Sequence, residues 1–366
     1  MVRTVLLLVL LAVPGAALAQ PHWDIQYRYR QVDSTLTIND LAFPSEKRGI
    51  ACGYTTDRKD KDKPLVLVTS DGGEHWSETP VKETGTSLFF LDDSKGWMIT
   101  DKGIWTTDEA GRTWIKLKGA PTALLKLWFL DRQHGFAVGL QKRVFETHDG
   151  GDSWAPLPIL QSVQGDAVYT TFGEVSFSGD KGIISGWNLP PRRGGPDWME
   201  PERAGMRKQI PHYSVLLQTV DGGKTWLKSD ASIFGEVTRI SLSPQGTGLG
   251  LIQFKDIFEF PSEVMRINIR NGKSVSTFRA KDRAITDVRV FKDSPMALIA
   301  GYEPSGPIYN SPIPGKVKVL TSTDSDTWTE MTVDYRAVAH TTILAGPDER
   351  HMWLATDTGM ILRLVP

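Results

Sequence analysis

Cysteine is almost absent: the 366-residue chain has one, Cys52. A single thiol closes no internal disulfide, so stability has to come from a packed core. Cys52 lies in the apolar run GIACGY with no histidine or cationic motif beside it, and reads as a buried small hydrophobe. An excess of either charge is also missing. The 42 basic residues face 43 acidic ones, so no global field draws nucleic acid and none is expected as a partner. Long apolar runs are lacking beyond residue 19, so no integral membrane span is expected. The seven histidines, His22, His75, His134, His148, His212, His340 and His351, show no HExxH motif and no close pair, so no metal site is expected. No P-loop or dinucleotide fingerprint occurs; GTGLGL (246–251) precedes no helix, and no cofactor is expected.

The first nineteen residues join Arg3, the apolar VLLLVLLAV and a small-residue ALA site before Gln20. That is the form of a secretory signal peptide, removed to leave residues 20–366. The cysteine of a lipoprotein signal is not at this position. The expected location is periplasmic or extracellular.

What is present is repetition. TSDGGEHW (69–76), THDGGDSW (147–154) and TVDGGKTW (219–226) share one phrase: hydroxyl, any, Asp, any, Gly, any, hydroxyl, Trp, with His75 replacing one hydroxyl. TDEAGRTW (107–114) fits with Glu109 as the acid, or with Asp108 and one extra residue; Asp108 is the acid assigned here. TSTDSDTW (321–328) is a worn copy with Thr323 and Ser325 at the Asp and Gly positions. A second phrase, an apolar residue, a polar turn and a short apolar run, starts at 43, 90, 129, 177, 242, 291 and 345. Each reads as a β-hairpin, and the interval suits four-stranded propeller blades with insertions. The expected fold is all-β: a seven-bladed propeller of four-stranded antiparallel blades forming one domain over 20–366. The chain stops after the third strand of blade 7, GMILRLVP (359–366), and HWDIQYRY (22–29) is expected to supply the fourth. Closure of this kind covers exposed strand edges.

The Asp phrase then falls on the turn between the third and fourth strands. Its glycines supply positive φ, and its carboxylate can take backbone N–H groups of its own hairpin. Its tryptophans (Trp76, Trp114, Trp154, Trp226, Trp328) are apolar wedges between blades. With one acid per blade around a ring, Asp71, Asp108, Asp149 and Asp221 are too far apart for joint chemistry, and the phrase is scaffold.

These phrases resemble the Asp-box, or BNR, repeat, found in sialidases, sortilin-type receptors, some glycanases and the photosystem II assembly and stability factor family. The likeness covers the whole mature chain. It specifies the fold and says little of function. Short blades with GFAVG followed by THDGGDSW most resemble the assembly-factor-like group, whose members are non-catalytic and bind partner proteins. That group is associated with an arginine-rich surface toward its client. The Arg-Ile-Pro signature of sialidases does not occur in this chain.

Three stretches lengthen connections between second and third strands: TTDRKDKDKP (55–64), the insertion at 188–212 and YEPSGPIYNSPIPG (302–315). All would decorate one rim, where binding residues collect. Arg192, Arg193, Arg203, Arg207 and Lys208 with Trp198 have the makings of an interaction hot spot, and Tyr302 and Tyr309 add aromatic contacts on a proline-stiffened loop. The reading is a monomeric, non-catalytic exported propeller that binds a protein client, an assembly or stability factor. The alternative is a carbohydrate-active propeller that binds or cleaves a glycan, for which Glu174, Asp256, Glu259 and Asp348 are carboxylates that sequence cannot pair.

Overall fold

The structure, a computed structural model, describes residues 20–189, 211–254, 259–305 and 312–366. Among the described residues seven sheets form, antiparallel but for one short parallel pair, and each is a blade. The inner strands, a, are Ser34–Ala42, Gly85–Phe90, Leu124–Phe129, Thr170–Ser178, Glu236–Leu242, Ala284–Val290 and Thr342–Ala345. Strands b, c and d then step outward, so a–b and c–d turns share one face while b–c and d–a connections share the other. No helix among the described residues is long and apolar enough to cross a membrane.

Blade 7 closes with the N-terminal strand His22–Arg28, antiparallel to Met360–Val365, as expected. A fifth strand adds to it. The chain leaving blade 6 pairs first as Thr329–Glu330 with its own blade, then as Thr332–Val333 in parallel with His22 and Trp23. Blades 6 and 7 are thus tied at their outer edges, and Trp23 is fully buried between them. The expected blade 1 loop (55–64) is mostly strand, Gly49–Asp57 and Asp62–Thr69, closed by a short turn that the Asp57 carboxylate holds through the N–H groups of Lys59 and Lys61. A longer connection was not foreseen: the d–a passage from blade 3 to blade 4 carries two short 3-10 helices, Pro158–Ser162 and Ala167–Tyr169.

The core lies between blades. In blades 1 to 4 a phenylalanine at the end of strand a covers the glycine that begins strand b. A Cβ on Gly49, Gly96, Gly135 or Gly182 would stand 2.3, 2.5, 2.5 and 2.3 Å from the rings of Phe43, Phe90, Phe129 and Phe177. Phe43 stacks on Trp353 of blade 7 at 3.7 Å, and Phe129 on Trp97 of blade 2 at 3.6 Å. The Asp-phrase tryptophans meet the same four rings edge-on: Trp76, Trp114, Trp154 and Trp226 at 5.9, 6.2, 6.1 and 6.0 Å. Edge-to-face pairs add about 0.5–1.5 kcal/mol each beyond burial. Cys52 is buried in this core, and desolvation pushes its thiol up.

The Asp phrase has a fixed geometry. The hydroxyls of Thr69, Thr147 and Thr219 donate to Asp71, Asp149 and Asp221, each at 2.8 Å. They accept from Gly73, Gly151 and Gly223 at 3.0, 3.0 and 2.9 Å. Each carboxylate also takes the N–H two residues past that glycine, at 3.0, 2.9 and 2.9 Å. The turn needs positive φ, 72° at Gly72 and 86° at Gly73. In blade 2 the acid is Glu109, not Asp108: Thr107 Oγ1 accepts from Glu109 N and Gly111 N, and Thr113 Oγ1 donates to Glu109 at 2.8 Å. Asp108 pairs instead with Lys95 and Arg132. In the worn copy the acid is Asp324, not Thr323. Ser322 Oγ donates to it, it accepts from Asp326 and Thr327, and Ser325, at the glycine position, takes φ 56° with its N–H on Ser322.

Candidate functional site in the central channel

Six inner strands carry the same irregularity. Strand a shifts register against strand b just before Asp40, Ser87, Lys126, Glu174, Arg239 and Asp287. A bulge re-aims the side chain that follows it. Five of these six residues are charged, and all five line a channel cavity of about 430 Å³. The cavity lies on the a–b-turn side of this ring: its walls continue through Phe89 and Trp128 to Pro44, Phe90, Lys292 and Pro347.

The charges alternate and are paired. Lys126 Nζ donates to Asp40 Oδ2 at 3.1 Å. The same oxygen takes Ser87 Oγ at 3.0 Å and the Leu88 N–H at 2.9 Å, so one carboxylate links blades 1, 2 and 3. Asp287 repeats the device, accepting from Val288 N at 2.8 Å and Leu344 N of blade 7 at 2.7 Å. Arg239 stands between two acids, Nη1 3.7 Å from Glu174 Oε2 and Nε 3.9 Å from Asp287 Oδ1. Arg289 donates to the Gly346 carbonyl at 3.0 Å. Glu174 is the exception, because its side chain is 5% exposed and Oε2 has no hydrogen-bond partner among the described residues.

Burial acts on each group, and its partners decide the outcome. Burial alone would raise Asp40, but Lys126 and the Leu88 N–H outweigh it and hold the carboxyl below its ordinary range. Lys126 and Arg239 are raised: burial opposes their charge, and the carboxylates around them more than offset it. Asp287 is raised and Arg289 lowered, both chiefly by burial. Glu174 is pushed up to about 7; burial leads, Lys126 and Arg239 pull against it, and Asp287 and Asp40 add to it. The ring can therefore present one more or one less negative charge near neutral pH.

The sequence-assigned binding residues lie elsewhere. Arg192, Arg193, Trp198, Arg203, Arg207, Lys208 and Tyr309 fall outside the described residues. Tyr302 ends strand b of blade 6, half-buried, with its ring edge-on to His340 at 6.2 Å. Of the carboxylates held in reserve for a glycan site, Glu174 is in the channel. Asp348 accepts the Arg350 and His351 N–H groups in a turn, Glu259 pairs with Lys281 at 2.8 Å, and Asp256 is outside the described residues.

The sequence pattern of the family described as "Photosynthesis system II assembly factor YCF48" matches residues 115–211. The photosystem II assembly protein Ycf48 of Thermosynechococcus vestitus is 25% identical over 152 residues, 36% of this chain and 43% of that protein. A xyloglucanase of Paenibacillus sp is 25% identical over 225 residues, 51% of this chain and 21% of that protein. The match to each spans less than half of the relative's length. The solved structure described as "YCF48 bound to D1 peptide" has a TM-score of 0.59 and 16% identity, and covers 96% of this chain and 99% of its own. This is an assembly-factor-like BNR propeller.

In this assembly-factor-like chain, Asp40, Lys126, Arg239, Asp287 and Arg289 were missed by sequence reasoning. A signal was available in four blades. Asp40, Ser87, Lys126 and Glu174 each stand three residues before the phenylalanine that ends strand a, in otherwise apolar segments.

Proposed function

We propose that the chain binds a partner protein and helps to assemble or stabilise a protein complex, without catalysing a reaction. The observation that carries this reading is the sequence likeness to the assembly factors over residues 115–211, which take in blade 3 and the first two strands of blade 4. The channel supports it. Its carboxylates Asp40 and Asp287 are fixed by backbone N–H groups and face the cations Lys126 and Arg239, which suits a rigid, charge-patterned docking surface. The b–c rim, with Arg192, Arg193, Trp198, Arg203, Arg207, Lys208, Tyr302 and Tyr309, is the second contact region we assign. We read residues 1–19 as an export signal and 20–366 as one domain. The Ycf48 proteins of Trichormus variabilis and Nostoc sp., named as lipoproteins, support an exported setting.

The test is affinity capture of the exported protein in three forms: full chain, a form lacking residues 190–210, and Arg239→Gln. A defined protein captured by the full chain and lost from either variant supports the reading and locates the contact. Equal recovery of the same background from all three overturns it. The likeness to a xyloglucanase keeps one second reading, a glycan bound at the channel beside Glu174. Retention on immobilised xyloglucan, lost in Glu174→Gln, would favour it over a protein client.

A further inference from the structure

We propose that the b–c hairpin of blade 3 carries a divalent-metal site, His134–Glu146–His148, that takes Zn2+. The register makes the site. Gly135 pairs with Thr147 and Phe136 with Glu146, so His134 faces His148 across the hairpin. Glu146 precedes His148 by two residues and shares its face of the strand. Residues twelve and fourteen positions from His134 in sequence thus become its neighbours.

The donor atoms converge. Glu146 Oε1 lies 2.8 Å from His134 Nε2 and 3.4 Å from His148 Nε2. One atom from each residue lies within 4.8 Å of the other two. Zn–N and Zn–O bonds near 2.0–2.1 Å in a tetrahedral site put donors about 3.3 Å apart, so small side-chain rotations suffice. The imidazoles already stack at 4.6 Å and 26°. His134 and Glu146 are each 21% exposed and His148 71%, so two donors are held by the scaffold while the third leaves a way in. The turn that presents His134 is fixed by Asp131, whose Oδ1 accepts the Gln133 and His134 N–H groups at 2.7 and 2.8 Å, and the ring rests on Phe136. Two imidazoles and one carboxylate suit zinc better than calcium or magnesium, which favour all-oxygen shells. Three protein donors leave a fourth position for water or for a side chain of a partner. Asp71, Glu74 and His75 of blade 1 also come together, but all three are exposed and Asp71 already serves Thr69 and the His75 N–H.

The experiment titrates ZnCl2 into the tag-free exported protein by calorimetry, with bound metal counted after dialysis. One ion per chain is expected, with a Kd of about 1 µM or tighter. His148→Ala, at an exposed position, should weaken binding at least about tenfold while leaving the circular dichroism unchanged. His75→Ala should bind as the parent does. Failure to bind at 100-fold higher zinc, unchanged affinity in His148→Ala, or loss in His75→Ala in its place would each overturn the assignment. Co2+ substitution gives an independent readout: a visible d–d band present in the parent and absent in His148→Ala.

Discussion

Glu174 makes the structure testable at a single proton. Its carboxyl is raised from 4.5 to about 7 in the folded chain, chiefly by burial. The folded state therefore holds this proton more tightly than the unfolded state does. Below pH 4.5 both states are protonated and the residue contributes no pH dependence. Between 4.5 and 7 the unfolded chain ionises first, so stability falls as pH rises; above 7 both are ionised and the loss is complete. A shift of this size corresponds to about 3 kcal/mol. Glu174→Gln keeps the shape of the neutral acid and removes the ionisation. The variant should match the parent near pH 4 and exceed it by up to about 3 kcal/mol at pH 8, with the gap opening between. Urea unfolding followed by tryptophan fluorescence at half-unit pH steps measures this directly. A gap that stays flat with pH would refute the reasoning. A variant weaker than its parent at pH 8 would do so more sharply, since it would mean that the fold favours the ionised carboxylate, held by Arg239, over the neutral acid.

Three further outcomes follow from the scaffold. Gly135→Ala places a Cβ against the Phe129 ring, and should lower stability by about 1–3 kcal/mol; Phe129→Leu in the same chain should recover part of the loss. Thr147→Val removes the hydroxyl that receives the Gly151 N–H and steadies Asp149, at a cost of about 1–3 kcal/mol for the buried donor left bare, seen as a lower urea midpoint. Lys126→Met leaves Asp40 without its cation and should cost about 3–5 kcal/mol, whereas Lys126→Met with Asp40→Asn should cost much less; additive losses would show that the two do not interact.

The fold was legible because it is written several times in short-range code. Gly72 and Gly73 at positive φ, the hydroxyl of Thr69 and the acid Asp71 act within eight consecutive residues, so sequence alone displays the whole device. The same locality explains the errors. Glu109 and Asp108 are adjacent carboxylates, and it is the Thr113 hydroxyl, donating to Glu109 while Asp108 turns to Lys95 and Arg132, that marks which one the turn uses. In the worn copy the turn is one residue tighter: the Ser325 N–H goes to Ser322, three residues back, where Gly73 goes to Thr69, four back, and this moves the acid from position 323 to Asp324. Thr332–Val333 could not be read at all, because its partner is the N-terminal strand and the pairing is parallel.

The channel was hidden for the opposite reason. Asp40, Lys126, Glu174, Arg239 and Asp287 come from five blades and meet only when the ring closes. In one strand each looks like a lone charge beside a turn, and attention goes to the long, visibly basic stretch at 188–212. What turns five isolated charges into one network is a bulge repeated in strand a, and a bulge leaves no fixed mark in composition. His134 and His148 teach the same lesson at shorter range, since fourteen residues apart in sequence is next door across a hairpin. In a repeat protein, then, a charged residue recurring at one position of an apolar strand is a stronger pointer to a shared site than a cluster within one loop. The copies of that position converge on the axis by construction, whereas the members of a loop cluster converge only if the loop holds them.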